Sequence, residues 1–222
     1  MICTLCLSQN TYIAHQKKDA TVAARDYYAC RNCSLIFLDP GQHLSASEEK
    51  ERYDLHENDP SDSKYVSFLS RLTNPLLPFL TPGFSGLDFG CGPGPAISPM
   101  MREKGFSVSN YDPIYFPEAA LLKTQYDFVT ATEVVEHLQS PRETFELLDT
   151  LLKPKESYLA IMTQMLAAET TFETWWYHQE DTHVSFYGKK TFEWLSNWRG
   201  WSALFPADNV VIFKKKRGEN RD

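Results

Sequence analysis

Gly86-Leu87-Asp88-Phe89-Gly90-Cys91-Gly92-Pro93-Gly94 is the stretch from which the rest of the chain is read. A short apolar run enters a series of glycines. That combination predicts a strand feeding a tight turn, because glycine takes positive φ without steric cost and lets a ligand approach the backbone closely. The spacing is Gly-x-Gly-x-Gly, and Pro95 stands where a dinucleotide-binding fingerprint carries its last glycine, which counts against NAD or FAD. About twenty residues beyond the turn, Phe106 to Tyr111 predicts a second strand, and Asp112 at its end can accept hydrogen bonds from both hydroxyls of a ribose. Between the two strands, Ser98-Pro99 predicts a helix start, with serine as N-cap and proline in the first helical position; Gly105 predicts its stop.

Upstream, apolar residues at Val66, Leu69, Leu72, Leu76 and Leu77 follow helical spacing, interrupted at Pro75. Downstream, strands are expected at Asp127 to Ala131, Ser157 to Thr163 and Asn209 to Phe213. Helices are expected from Ser140-Pro141-Arg142-Glu143, which has the form of a capping box, and around Thr191 to Leu195, ending at Gly200. Phe145, Leu148 and Leu152 of the first of these face the sheet. Strands alternating with helices predict an α/β fold, a Rossmann-like, doubly wound and mostly parallel sheet. Only thirteen residues separate Asp112 from Tyr126. That is too short for a helix and a full strand, so one sheet element is expected to be shortened or missing.

Leu87 to Gly94, Tyr111-Asp112-Pro113 and Tyr126-Asp127-Phe128-Val129 resemble the ordered motifs of class I S-adenosylmethionine (SAM)-dependent methyltransferases, over residues 65–222. The resemblance implies that Gly90, Gly92 and Gly94, with Cys91 between them, pass beneath the methionine part of SAM. Asp88 would help hold its amino group and Asp112, beside Pro113, the ribose. Thr132 and Glu133, after the next strand, complete the expected cofactor-binding set. The acidic residue that commonly contacts adenine has no clear counterpart.

Thr132-Glu133-Val134-Val135-Glu136-His137-Leu138 follows a strand, at the end where open α/β sheets bind ligands. On a helical turn Glu133, Glu136 and His137 share one face, able either to bind a divalent ion or to make a hydrogen-bonded hinge. Trp175 to Tyr187 is dense in aromatics, acids and histidines. Its rings can wall off water while a histidine accepts a proton from the attacking group. His183 is the preferred base or ligand and His178 the second; the alternative is that both bond backbone carbonyls in a packed loop. The Glu133-x-x-Glu136-His137 pattern with the later Asp181-x-His183 also resembles small-RNA 2′-O-methyltransferases, implying that Glu133, Glu136, His137 and His183 hold a divalent ion, Mg2+ or Mn2+.

Toward the N-terminus, Cys3-Thr-Leu-Cys6 and Cys30-Arg-Asn-Cys33 have the spacing of a zinc ribbon, in which two paired turns close a tetrahedral four-sulfur site. Residues 1–40 are too few to fold on an apolar core alone, and metal binding would supply the missing free energy. The stretch also resembles the ribbon found ahead of some bacterial methyltransferases, including ones acting on sugars. Residues 41–64 are polar and charged, and read as a linker or exposed helix in which Tyr53, His56 and Asn58 either decorate the surface or cap the site.

Composition narrows the partners. Across 222 residues, 22 Lys and Arg against 29 Asp and Glu give a net charge of −7, which disfavours nucleic acid. The basic run Lys214 to Arg217 reads as a solvated tail. No apolar run approaches the roughly 18–20 residues that span a bilayer, and no leader pattern opens the chain. A cytoplasmic location is expected, where cysteines stay reduced. The expected activity is methyl transfer to a small polar or sugar-linked acceptor, with oxygen favoured. RNA 2′-O-methylation and a non-catalytic scaffold that binds SAM and zinc are the alternatives.

Overall fold

The computed structural model describes residues 1–17, 24–55 and 58–215. In chain order the elements are β1 (Thr11–Lys17), β2 (Arg25–Cys30), β3 (Ile36–Leu38), α1 (Ala46–Tyr53), α2 (Ser63–Leu76), β4 (Ser85–Phe89), α3 (Ile97–Glu103), β5 (Ser107–Tyr111), β6 (Phe128–Thr132), α4 (Pro141–Leu151), β7 (Ser157–Met162), β8 (Ser185–Phe186), α5 (Lys189–Arg199), β9 (Trp201–Ala207) and β10 (Val210–Lys215).

Six strands form the main sheet in the order β5-β4-β6-β7-β10-β9. The first four are parallel, and β10 runs antiparallel to both its neighbours. Strands covered on both faces need apolar residues at nearly every position. All six residues of β7, Ser157-Tyr-Leu-Ala-Ile-Met162, are buried. Alternate side chains feed two cores: Leu159 and Ile161 pack with α4 and α5, while Tyr158, Ala160 and Met162 pack with α2 and α3. The sheet is therefore doubly wound. Between β5 and β6 the chain makes a bridge between Asp112 and Phe116, a helical turn at Leu121–Lys123 and a bridge between Tyr126 and Leu152, and among the described residues no strand joins the sheet beyond β5, which is its edge. The short interval after Asp112 lacks the expected third strand for want of residues.

Local capping differs from expectation in two places. Helix α3 begins at Ile97 with Ala96 as its N-cap, which puts Ser98 and Pro99 inside the first turn, where proline's missing N–H costs nothing. Pro141 does open α4, but the Ser140 side chain makes no capping bond. Strand β9 is an addition to the expected elements. It lies at the sheet edge, is only partly buried and carries Pro206, tolerated there because an edge strand has unpaired N–H positions.

The first forty residues form an antiparallel sheet, β1-β2-β3, whose fourth strand is β8 from far along the chain. Cys3, Leu5, Cys30, Cys33, Leu35 and Phe37 belong to the same buried cluster as Phe145 of α4 and Phe192 of α5. The cysteine module thus shares its core with the larger fold. At roughly 1.5–3 kcal/mol for each large apolar side chain buried, this contact is a substantial part of the module's stability.

Candidate active site

The glycine turn joins β4 to α3. Gly90 has φ +73° and donates to Tyr111 O at 2.7 Å. A Cβ there would stand 2.5 Å from Val134 Cγ2, so glycine is required by conformation and by packing. Gly92 N donates to Asp112 Oδ2 at 3.0 Å, while Ile114 N and Tyr115 N donate to Oδ1 at 2.8 and 3.0 Å. Asp112 has thus filled three of its roughly four acceptor positions with backbone N–H groups, leaving a direction for a further donor. Behind the turn, buried Asp88 accepts from Thr130 Oγ1 at 2.8 Å. Burial, together with the charge of Asp112, outweighs that bond and lifts the Asp88 pKa to about 7.

Asp88, Gly90, Cys91 and Thr132 line a cavity of about 20 Å³ with Tyr65 and Ile97. Thr132 Oγ1 is buried there with no hydrogen-bond partner among the described residues. Burial pushes the Cys91 thiol up, so it stays protonated. Pro113 is exposed beside Asp112. Asn58 lies directly on the turn: a Cβ at Gly94 would come 1.8 Å from Asn58 O.

The polar segment after residue 40 contains α1, opened by a reciprocal capping box between Ser45 and Glu48. It lies across the site. The Tyr53 ring meets His137 edge-on at 5.3 Å, Asp54 Oδ1 accepts from Tyr115 OH at 2.7 Å, and Glu49 Oε1 accepts from Gln139 at 2.8 Å. His56 lies outside the described residues.

At the carboxyl end of β6, Glu133 takes φ +52°, a left-handed conformation costing a non-glycine residue roughly 1–2 kcal/mol. It turns the chain into the short helical turn Val135–His137. Glu136 is fully buried and accepts from Thr163 Oγ1 at 2.8 Å and from Tyr177 OH at 2.5 Å. Tyr177 OH also lies 3.3 Å from Glu133 Oε2. The Tyr177 hydroxyl thus faces both carboxylates, and its shorter bond is to Glu136. Burial, then the neighbouring Glu136 charge, outweighs the Tyr177 bond and raises the Glu133 pKa to about 8.

His183 Nδ1 lies 2.7 Å from Tyr177 O, and His137 Nδ1 3.2 Å from Thr182 O. Carbonyl oxygens only accept, so both Nδ1 atoms donate. The two rings are 4.7 Å apart, and the ligand atoms of Glu136, His137 and His183 lie within 4.8 Å of one another. Burial, with His137 adding to it, lowers the His183 pKa to about 4. The imidazole is therefore neutral at pH 7.

The structure does not bring His178 to this cluster. Its ring stacks on Phe172 at 4.9 Å and meets His15 and Tyr27 of the N-terminal sheet, because the helical turn Trp176–Gln179 sends Tyr177 and His178 in different directions. Tyr177, which precedes His178 in that turn, reaches the acids instead. Sequence reasoning assigns no role to Tyr177 within the aromatic stretch or to Thr163 at the end of its strand; nothing local marks a phenol or a hydroxyl that will meet a buried carboxylate.

In the N-terminal module, Cys3 Sγ lies 3.5 Å from Cys33 Sγ, and Cys6 Sγ 3.4 Å from Cys30 Sγ, all four within 4.8 Å of one another. These separations exceed an S–S bond of about 2.05 Å. They approach the roughly 3.8 Å between sulfurs placed about 2.3 Å from a tetrahedral zinc ion. Without an ion, one thiol of the Cys3–Cys33 pair shares its proton with the other sulfur, so that one pKa of the pair falls and the other rises.

Comparison with known proteins fits this geometry. The model of a methyltransferase-domain family matches residues 61–204, well over half the chain, and the protein belongs to that family, the class I SAM-dependent methyltransferases. Among solved structures, a protein from Pyrococcus horikoshii shares the fold at TM-score 0.50 and 13% identity, over 74% of this chain and 97% of that one. A SAM-dependent methyltransferase from Archaeoglobus fulgidus is similar at TM-score 0.45 and 19% identity, over 69% of this chain and 100% of its own. Phosphoethanolamine N-methyltransferase 2 of Haemonchus contortus, solved with SAM, is similar at TM-score 0.48 and 15% identity, over 64% of this chain and 38% of its own. No curated protein sequence matches. Among the described residues no helix is long and apolar enough to cross a membrane.

Proposed function

We propose that this methyltransferase acts on an oxygen of a small polar or sugar-linked acceptor, bound at Glu136, His137 and His183. The observation that carries this is the cluster itself: two imidazoles and a buried carboxylate whose ligand atoms lie within 4.8 Å of one another, at the carboxyl end of β6 and one turn from Thr132 in the cofactor cavity. The residues of that cavity suit SAM. Gly90, Cys91, Gly92 and Gly94 would pass beneath its methionine part, Asp88, Thr132 and Glu133 would meet its polar end, and Asp112 with Pro113 would flank the ribose. The unpartnered Thr132 hydroxyl supports this fit. SAM supplies a methyl group activated by a cationic sulfur, and the Asn58 segment must lift for it to enter.

A histidine whose pKa is about 4 is a weak base at neutral pH but a good neutral ligand. Glu136, His137 and His183 are therefore assigned to a divalent cation, Mn2+ or Mg2+, the mixed nitrogen and oxygen donor set suiting Mn2+ better. Such an ion would lower the pKa of an acceptor hydroxyl. The residues around it exclude water and orient the ligands: Thr163 and Tyr177 fix Glu136, and two carbonyls fix the imidazoles. His178, packed among rings of the N-terminal sheet, is left out of the chemistry. The four cysteines are assigned to structural Zn2+ in a unit spanning residues 1–40, and reduced cysteines suit the cytoplasm. The net charge of −7 supports a small acceptor over a polyanion.

Calorimetric titration with SAM and S-adenosylhomocysteine, with Mn2+ and after chelation, followed by labelled methyl transfer across hydroxyl-bearing acceptors, tests the proposal. Micromolar cofactor binding and Mn2+-dependent transfer to oxygen are expected. Transfer to nitrogen or carbon alone, unaffected by chelation, overturns it.

A further inference from the structure

The cysteine module and the acid–histidine cluster meet at the segment that carries His183, and one buried side chain of the module holds most of its polar contacts. Arg25 opens β2, and its side chain is only 9% exposed. Its Nη1 donates to Asp181 Oδ1 at 3.1 Å and Glu180 O at 3.4 Å; its Nη2 donates to Asp181 O at 3.2 Å and His183 O at 3.1 Å. Three of these four acceptors are backbone carbonyls of a single turn. A buried guanidinium is costly to desolvate, and what its hydrogen bonds chiefly secure is the shape of residues 180–183.

The rest of the turn is held from both sides. Leu38 N donates to Val184 O at 2.9 Å from the module, and Val184 N donates to Glu136 O at 2.9 Å toward the cluster. Tyr27 OH, also on β2, donates to His178 O at 3.0 Å. Asp181 additionally pairs with Arg52 of α1 at 2.8 Å. The segment that delivers His183 is thus wedged between the cysteine module and the Glu136 turn, with Arg25 as its main polar fastening.

We infer that the cysteine module is a working part of the active site, and that Arg25 is a positioning residue that sets the backbone from which His183 faces Glu136 and His137. The inference rests on the assignment of those three residues to a divalent cation. It gives the module a task beyond folding: loss of the four-sulfur site would unseat β2, release Arg25 and let the 180–183 turn relax.

The test uses the full-length, zinc-loaded protein with Mn2+ as the probe, followed by electron paramagnetic resonance. The second readout is the ring Cε1–H resonance of His183, assigned by its loss in His183→Ala. In Arg25→Ala, zinc content and S-adenosylhomocysteine affinity stay at wild-type values, since the glycine turn is built elsewhere. Mn2+ affinity falls about tenfold, the lower end of the effect expected for partners that orient metal-ligating histidines, and the His183 resonance moves. The double variant Arg25→Ala/His183→Ala binds Mn2+ no more weakly than His183→Ala alone, because Arg25 acts through that ring. Should Arg25→Ala fail to fold, Asp181→Asn removes only the partly exposed carboxylate arm and shifts both readouts in the same direction by less. An unmoved resonance with wild-type Mn2+ affinity overturns the inference, as do additive losses in the double variant. Wild-type Mn2+ affinity in His183→Ala instead sinks the cation assignment, and the resonance alone then decides the clamp.

Discussion

Around the glycine turn, the groups that would meet a cofactor come mostly from two short stretches about twenty residues apart, and many belong to the backbone: Gly90 N on Tyr111 O, and Gly92, Ile114 and Tyr115 N–H on Asp112. In the acid–histidine cluster the opposite holds. Glu136 from the β6 turn, Thr163 beyond β7, and Tyr177 and His183 from a late loop meet through side chains drawn together across the fold. A site made of local backbone tolerates few changes of shape but depends little on distant parts of the chain. One made of remote side chains can lose a member and keep its fold, yet every segment that supports those side chains becomes part of it.

The sharpest way to break this contrast is to add a Cβ to the local half. Gly90→Ala places a methyl 2.5 Å from Val134 Cγ2 at φ +73°. The conformational penalty of about 1–2 kcal/mol and a similar packing cost should lower the melting temperature by several degrees and abolish cofactor binding in calorimetry. A stable variant that still binds SAM would show that the turn is less constrained than its geometry implies. His183→Ala probes the other half: S-adenosylhomocysteine affinity should stay within about twofold, while methyl transfer falls by more than the roughly 10–100-fold expected when only an outer-shell partner of a metal ligand is lost. The reverse pattern would exchange the roles of the two halves.

Asp112→Ala should weaken cofactor affinity by about 1–3 kcal/mol, roughly 5- to 150-fold, as three backbone N–H groups lose their acceptor; titration with S-adenosylhomocysteine measures it. The smallest effect concerns Asp149, in neither half. Burial would raise its pKa, but Lys215 and Arg199 outweigh that and hold it below the usual value. A carboxylate depressed in the folded state contributes stability above its unfolded pKa of about 3.9 and loses it as the pH falls through the folded value. Asp149→Asn should therefore narrow the gap between urea midpoints at pH 7 and pH 3. An unchanged gap would mean that these ion pairs add nothing.

Legibility in the sequence follows the same division. The strand–glycine–helix unit and Asp112 can be read because the residues that make the turn lie within a few positions of one another, and the alternation of apolar runs marks the inner strands. The missing third strand follows from chain length alone. Edge strand β9 escapes because a half-exposed strand has a weak apolar pattern. The placement of Ser98 and Pro99 slips because several N-terminal helix positions accept these residues equally well. His183 and His178 carry the same signal, five residues apart, and only the path of the loop separates them.

By itself the sequence determined the α/β order, the glycine turn and the pairing of four cysteines, since each rests on spacings short enough for backbone geometry to dictate. Only the tertiary structure decided that β8 completes the cysteine module's sheet, that Tyr177 bridges two carboxylates, and that Arg25 fastens the turn bearing His183. Those contacts join residues as many as 158 positions apart. They exist because burying both faces of a sheet forces distant segments together, and polar groups carried inside must then find partners wherever packing has placed them.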